Sequence, residues 1–309
     1  MSRIREVDYS EAEFAICAAL YNASYPDLPY SAEDFLSEYR IRDMSLAREF
    51  YLYGEAGFIE LGHAYWYKVP GKMYAKFESY DQRHDEELLE FALTRLATLG
   101  GTKVLMFSRT SKPSRTELLK RVGCEHVQTE PISRLLPEQF NFEYAAPREA
   151  LAHQNNVEIL TLADYIIRCE NFARNIYEHA KACLRDVPSP DTVEPPPFEI
   201  WVERLNHKAW YDHETFVIAL HNDEIVGTSG MHPCSADPTI LFTGLTGVRS
   251  DFRRRGVATA MKAEAARIAI RRKIRAVMTD NDESNPMFEL NKRLGFECYD
   301  AWLHYMREL

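Results

Sequence analysis

The sequence predicts an α+β protein built from two similar halves, each with a mixed, mostly antiparallel sheet flanked by helices. Three observations lead to this prediction. The two halves share one order of elements, each contains a hairpin with a tight turn, and each ends in a strand, a helix and a glycine at matching positions. With 309 residues, of which 46% are hydrophobic, the chain is long enough for more than one core.

Along each half we predict a strand, two helices, three strands, a helix, a strand, a helix and a last strand. The hairpins turn around Gly54–Gly57 and around Asn222–Glu224, where strand-like runs flank residues that favour tight turns. Near the end of each half, a basic pair and an apolar residue precede Gly123 or Gly295, which is the position expected for a glycine that ends a helix.

The predicted domains are residues 1–140 and 157–309. The stretch between them, residues 141–156, lacks sustained hydrophobic periodicity and contains Pro147. Because proline and a missing period both argue against regular structure, we assign this stretch to a linker.

The net charge limits the partners that we expect. The formal value is −10, which argues against nonspecific binding of nucleic acid or of an anionic membrane by the whole surface. No run approaches the roughly 20 apolar residues of a membrane helix, and "MSRIREVDYSEAEF" lacks the apolar core of a secretory signal, so we expect a cytoplasmic protein. The charge is uneven, however, because residues 249–275 carry +8 and the remainder carries −18.

The six cysteines are scattered, and none forms a C-x-x-C pair. This pattern is poor for a zinc site and poor for a disulfide scaffold in a chain of this length. We expect reduced, buried thiols and no metal ion.

The positively charged segment contains a loop suited to a phosphate. A predicted strand at 239–248 ends in Gly-Leu-Thr-Gly-Val, and a predicted helix begins at Gly256. Backbone N–H groups and the positive end of the helix dipole favour an anion there, Gly256 would let a ligand approach the backbone closely, and three arginines add charge. A solvated cationic helix end is the alternative explanation.

The spacing Arg253-x-x-Gly256-x-Ala258, followed about 30 residues later by "NPMFELNKRLGF", resembles the Gcn5-related N-acetyltransferase (GNAT) family with its R/Q-x-x-G-x-G/A pyrophosphate loop. The tandem layout is similar to that of mycothiol synthase and its relatives. The resemblance implies acetyl-CoA as co-substrate and direct acetyl transfer to the amine of a small molecule by the second half.

The resemblance also assigns cofactor-binding residues by position. Those expected at the pyrophosphate are Arg253, Arg254, Arg255, Gly256, Val257, Ala258 and Thr259. Those expected to pair with the pantetheine, from a bulged strand, are Leu245, Thr246, Gly247 and Val248. Asn285 corresponds to a cofactor-side asparagine of the family, and Asn291 stands where many members place the tyrosine that protonates the leaving thiolate. Because an amide is a poor acid, the route of that proton stays open.

A base is needed as well, since an amine near neutral pH is mostly protonated. The nearest candidates are Asp280, Asp282 and Glu283, at the end of the next predicted strand. The alternative is that this acidic loop caps the following helix, with residues 282–285 accepting hydrogen bonds from backbone N–H groups.

In the first half the resemblance covers the fold alone. The corresponding loop, "DQRHDEELLEF", has no glycine and places Asp85, Glu86 and Glu87 where a phosphate would sit. Because like charges repel, we interpret this half as a degenerate copy that does not bind acetyl-CoA.

Three functions therefore compete. The first is an N-acetyltransferase acting on a small amine, the second is a non-catalytic acyl-CoA sensor, and the third is a nucleic-acid binder that uses the positively charged segment. The third predicts steeply salt-dependent affinity for DNA, whereas the first two predict saturable binding of CoA. The oligomeric state and the acceptor amine stay open.

Overall fold

The computed structural model describes residues 3–63, 69–189, 193–207 and 210–309. The strands are β1 (Ile4–Glu6), β2 (Arg48–Tyr53), β3 (Gly57–His63), β4 (Lys72–Ser79), β5 (Lys103–Arg109), β6 (Glu125–Leu135), β7 (Glu158–Thr161), β8 (Val217–His221), β9 (Glu224–Pro233), β10 (Ile240–Val248), β11 (Ala276–Asp280) and β12 (Glu297–Glu308). The helices are α1 (Glu11–Ser24), α2 (Ala32–Arg40), α3 (Asp85–Thr98), α4 (Pro113–Arg121), α5 (Phe142–Gln154), α6 (Leu162–Arg168), α7 (Phe172–Leu184), α8 (Phe198–Asn206), α9 (Val257–Arg271) and α10 (Pro286–Arg293). Among the described residues, no helix has both the length and the apolar character needed to cross a membrane.

The predicted α+β class is confirmed, and the first half has the predicted order of elements. The second half differs in one respect, because three helices, α6, α7 and α8, lie between its first two strands where two were predicted. The turn of its hairpin has left-handed backbone at Asn222 and Asp223, with φ of 50° and 63°, as a two-residue turn between twisted strands requires. Gly123 and Gly295 follow the ends of α4 and α10 with positive φ, as predicted.

The first compact unit contains residues 3–130 and 300–309. Its strands run in the order β1-β2-β3-β4-β5-β12, and the pair β4/β5 is parallel. Side chains of α3 pack on one face of this sheet in a cluster that includes Leu88 and Leu96. Side chains of α1 and α2 pack on the other face around Phe14 and Phe35.

The second compact unit contains residues 131–189 and 193–299. Its strands run in the order β6-β11-β10-β9-β8-β7, with β10/β11 parallel. Alternate residues of β8 point to two different cores. Val217 packs with α5 and α9, whereas Ile218 packs with α6, α7 and α8.

The units do not coincide with the predicted ranges 1–140 and 157–309. The last strand of each half completes the sheet of the other unit: residues 132–135 of β6 pair with β11, and Trp302–Glu308 of β12 pairs with β5. Both last strands follow the same helix–glycine pattern. Local sequence therefore cannot specify which sheet each strand joins.

The predicted linker at 141–156 is corrected, because most of it forms α5. Asn141 caps this helix by accepting a hydrogen bond of 3.0 Å from the Tyr144 N–H. Pro147 removes one helical hydrogen bond, yet the helix is stabilised by packing on α9 through buried Ala145 and Ala152. Tertiary packing outweighs the local signal of the proline here.

Gly256 is required by its contact with α5, a reason that the sequence did not show, and the close approach of a ligand there stays a prediction. It precedes α9 with φ of 81°, a left-handed conformation that favours glycine. A Cβ at this position would overlap the backbone carbonyl oxygen of Arg148 in α5. The start of α9 is therefore held by backbone contact with α5.

We predict that Gly256→Ala destabilises the protein more than Gly123→Ala does. Both glycines have φ near 80°, but a Cβ at Gly123 would meet no atom within 4 Å. Gly123→Ala, the control, should lower the free energy of unfolding by about 1 kcal/mol because of left-handed strain. Gly256→Ala should lower it by about 3 kcal/mol, because strain and overlap with a backbone atom add. Urea unfolding checks this, and equal losses would contradict the assigned role of the Arg148 carbonyl.

Candidate functional site

Strands β10 and β11 separate after a short parallel contact. They pair from Ile240–Phe242 to Ala276–Met278, and one residue further Thr243 Oγ1 donates a hydrogen bond of 2.6 Å to Thr279 Oγ1. Within the described ranges no further pairing joins the two strands. We call the gap between residues 243–248 and the chain after Thr279 the wedge.

The bulge expected from the resemblance is present in β10, whose register against β9 shifts around Leu245. Beyond it, the Arg249 N–H donates 2.9 Å to the backbone of β9. Backbone groups two residues apart in a strand point to the same edge. Gly247 therefore faces β9, whereas Thr246 and Val248 face the wedge. These two residues present the backbone groups with which a pantetheine arm could pair.

Arg253 is folded back onto the end of β10. Its Nε donates 3.0 Å to the carbonyl oxygen of Val248, and its guanidinium pairs with the carboxylate of Asp186, just beyond α7. Both members of the ion pair are about half exposed, so the pair contributes little stability and can exchange partners readily. Sequence reasoning missed Asp186, because no spacing links it to the loop.

The backbone N–H groups at the start of α9 are open. From Arg254 to Thr259, none donates a hydrogen bond to another described residue, and no side chain caps the helix. Arg254 and Gly256 both have positive φ, which turns successive amides toward one side. Together with the helix dipole, these amides form an arrangement that suits an anion, and anion binding by the loop stays a prediction.

The side chains of the loop divide into two groups. Arg254 is exposed, and Arg255 lies 4.9 Å from the centre of the Phe252 ring, so both can place positive charge near the open amides. Val257 and Thr259 are buried, and Ala258 is partly buried, so the structure leaves mainly their backbone groups to meet a ligand.

A cleft of roughly 440 Å³ lies beside the end of β10, lined by α7, the β8–β9 turn and Arg253. His179 and Cys183 project from α7 onto Gly247; His179 Nε2 lies 3.4 Å from the Gly247 oxygen, and a Cβ at Gly247 would lie 2.5 Å from Cys183 Sγ. Burial lowers the pKa of His179 and raises the pKa of Cys183 to about 11, so both are neutral at pH 7. Gly247 therefore allows α7 to approach the strand.

The acidic loop after β11 caps α10. Asp282 Oδ1 accepts 2.8 Å from the Ser284 N–H, and Asn285 Oδ1 accepts 2.9 Å from the Met287 N–H. Asn285 thus caps α10, as the capping interpretation expects, whereas Asp282 accepts a hydrogen bond from a backbone N–H inside the loop, before the helix begins. Asp280, at the last position of β11, and Glu283 are both exposed.

Asn291 lies in α10 and is fully buried, with 0% of its surface exposed. Its Nδ2 donates 2.7 Å to Asn281 Oδ1, and its own Oδ1 has no hydrogen-bond partner among the described residues. Sequence reasoning missed Asn281, which directly follows β11.

The corresponding gap in the first unit is filled. β4 and β5 pair from Lys72 to Ala75 and then separate, as β10 and β11 do. Beyond that point, Arg115 of α4 donates a hydrogen bond of 2.6 Å to the Phe77 backbone oxygen. It also forms buried ion pairs with Glu78 and Asp85. Asp85 is thus directed inward, not toward a phosphate as the sequence suggested. The position equivalent to Arg115, eight residues before the glycine that ends the helix, is Met287 in the second unit.

Solved structures share this architecture. A GCN5-related N-acetyltransferase from Sphaerobacter thermophilus matches 100% of this chain and 96% of its own with a TM-score of 0.69 and 17% identity. A tandem GNAT protein of the clavulanic acid biosynthesis pathway matches over 99% and 98% with a TM-score of 0.71 and 14% identity. A fungal GCN5-related glucosamine N-acetyltransferase region matches 98% of this chain and 38% of its own, with a TM-score of 0.69 and 10% identity.

Family comparison identifies the second half more closely. No curated protein sequence matches the chain. Residues 174–296, which include the wedge, the open amides and α10, match the model of the acetyltransferase (GNAT) family. Residues 174–296 thus match the acetyltransferase (GNAT) family, and the fold of the whole chain is similar to that of a tandem GNAT protein.

Proposed function

We propose that this protein is an N-acetyltransferase that moves an acetyl group from acetyl-CoA to the amine of a small molecule in its second unit. One observation carries the proposal: amides from Arg254 to Thr259 that donate to no described residue follow a strand whose edge pairs with no described strand at the wedge. The amides suit a diphosphate, and the strand edge suits a chain of amide groups. Coenzyme A joins a diphosphate to such a chain.

The roles of the residues follow from their positions. The amides of the loop would hold the pyrophosphate, with charge added by Arg254 and Arg255. Thr246 and Val248 would orient the pantetheine by backbone hydrogen bonds. Arg253 would add its charge to the pyrophosphate site only after its ion pair with Asp186 breaks. Bound in this way, acetyl-CoA would supply an activated acyl thioester at the wedge.

The carboxylates after β11 are the candidate base. Asp280 and Glu283 are exposed near the mouth of the wedge, where a carboxylate or its bound water could take a proton from the incoming amine. Asp282 can serve as well, although its Oδ1 accepts a hydrogen bond from the Ser284 N–H within the loop.

Asn291 favours a second candidate function. A buried amide stands where many family members have a tyrosine, which is the feature expected of a protein that binds acyl-CoA without transferring the acyl group. Such a sensor would use the same amides and the same wedge.

A thiol-release assay tests the proposal. Acetyl-CoA is offered with a panel of amines, which includes glucosamine because the fungal structural relative is a glucosamine N-acetyltransferase. We expect saturable release of CoA thiol with at least one amine. Saturable CoA binding without release for any amine would favour the sensor. DNA binding with steep salt dependence and no CoA binding would contradict both.

Charge reversal in the loop should show which of the two units binds CoA. We predict one CoA per chain by calorimetry, and an affinity about tenfold lower in Arg254→Glu, since one like-charge contact contributes on the order of 1 kcal/mol or more. Arg83→Glu, the matched reversal before α3 in the first unit, should leave CoA affinity unchanged, because Arg83 is an exposed residue there. Two CoA per chain, or equal effects of both reversals, would show that the first unit also binds CoA.

Neutral replacements test the base. Of Asp280→Asn, Asp282→Asn and Glu283→Gln, we expect one to lower turnover at neutral pH by about 100-fold and to spare CoA affinity, because a general base contributes that much or more. The Asp282→Asn side chain retains an oxygen that can accept from the Ser284 N–H, so loss of this loop hydrogen bond is not a confounding effect. Normal turnover in all three variants would place the base elsewhere.

A further inference from the structure

The burial of Asn291 is not explained by packing. Its Oδ1 is buried without a hydrogen-bond partner in the described part of the chain, an arrangement that is usually destabilising. At the equivalent position of α4, four residues before the glycine that ends the helix, Leu119 is buried to the same degree. The equivalent helix α4 therefore accepts an apolar residue at this position. We infer that the amide of Asn291 in α10 serves a purpose other than filling space.

That purpose is visible in its single hydrogen bond. Asn291 Nδ2 holds Oδ1 of Asn281 at 2.7 Å, and the backbone N–H of Asn281 donates 3.3 Å to the Pro131 oxygen. Asn281 is thus fixed at both its backbone and its side chain. The Asn281 Nδ2 donates to no described residue and is the group left to act on a ligand.

Asn281 also lies on the correct side of the wedge. Side chains alternate along a strand, so Asn281 points to the same face as Thr279, whose hydroxyl meets Thr243 across the start of the wedge. Val277, two residues earlier on this face, packs in the core that contains α9. The open amides and the Asn281 side chain therefore approach the wedge from one face of the sheet.

We propose that Asn281 is a catalytic residue whose Nδ2–H donates a hydrogen bond to the thioester sulfur, and that Asn291 is its positioning residue. The inference rests on the proposed acetyl transfer. The amine nitrogen bonds to the carbonyl carbon, the carbon–sulfur bond breaks with its electron pair on sulfur, and the amine loses its protons to the base and water. The amide stabilises the thiolate without protonating it, and water supplies the proton of the released thiol.

This role predicts sulfur-dependent binding. A hydrogen bond from a neutral donor to an anion changes affinity by about 10- to 100-fold. We therefore compare CoA with desulfo-CoA, which lacks the sulfur, at pH 8.5, where roughly half of a free thiol is ionised. In the wild-type protein, CoA should bind about tenfold more tightly than desulfo-CoA.

Two variants remove this preference by different routes. Asn281→Ala removes the donor, and Asn291→Leu, which copies Leu119, removes its anchor. We expect both to bind CoA and desulfo-CoA with similar affinity, to reduce kcat by about tenfold or more, and to leave the KM for acetyl-CoA within about twofold. The kcat of the double variant should fall no further than that of the more impaired single variant, because both substitutions act through the amide of Asn281. Asn206→Ala, a change in α8 at a side chain bonded to the Val202 oxygen, is the matched control and should retain the preference.

The outcomes separate this inference from the function on which it rests. Folded Asn281→Ala that keeps a tenfold preference for CoA would overturn the inference while acetyl transfer stands. Loss of the preference in Asn281→Ala with retention in Asn291→Leu would overturn the positioning role. Wild-type protein that binds neither compound would overturn both the inference and the proposed function.

Discussion

The separation of β10 from β11 is the constraint on which the site depends. A strand edge that leaves its neighbour exposes N–H and C=O groups, and such groups must find other partners or stay open to solvent or ligand. In the second unit, Arg253 donates to the Val248 oxygen, while the edge at Thr246 and the amides that start α9 have no backbone partner among the described residues. In the first unit, the same geometry is closed by Arg115 on the Phe77 oxygen. Two copies of one fold thus differ in how they satisfy the same backbone requirement.

Electrostatics reinforces this difference. The buried Arg115 is balanced by Glu78 and Asp85, and removing one member of such a group would leave an uncompensated charge. In the first unit, therefore, the gap between β4 and β5 has to stay filled by Arg115. At the equivalent position the second unit has Met287, which brings no charge and needs no partner. Arginines of the second unit lie instead in the loop before α9, where Arg254 is exposed and the Arg253–Asp186 pair is half exposed.

Much of the fold could be predicted from the sequence, because its signals are local. The hairpin at Asn222–Asp223, the glycines that end α4 and α10, and the open backbone amides at the start of α9 each depend on a few neighbouring residues. What could not be predicted depends on residues far apart in the chain. The carbonyl of Arg148 decides the need for Gly256, and Pro147 is tolerated only because α5 packs on α9. The sheet that each of the last strands, β6 and β12, joins could not be predicted for the same reason, since the two strands follow matching motifs.

The catalytic side of the site shows where family resemblance stops being informative. Resemblance identified Asn291 as the position of a missing acid, and in isolation that substitution suggests lost activity. Its burial and its bond to Asn281 suggest another solution, because an amide held by a second amide can stabilise a leaving thiolate without giving up a proton. A thiol with a pKa near 8.5 leaves readily as an anion near neutral pH, so a donor of hydrogen bonds can replace a donor of protons. The chemistry of the leaving group thus makes the absence of a tyrosine compatible with catalysis.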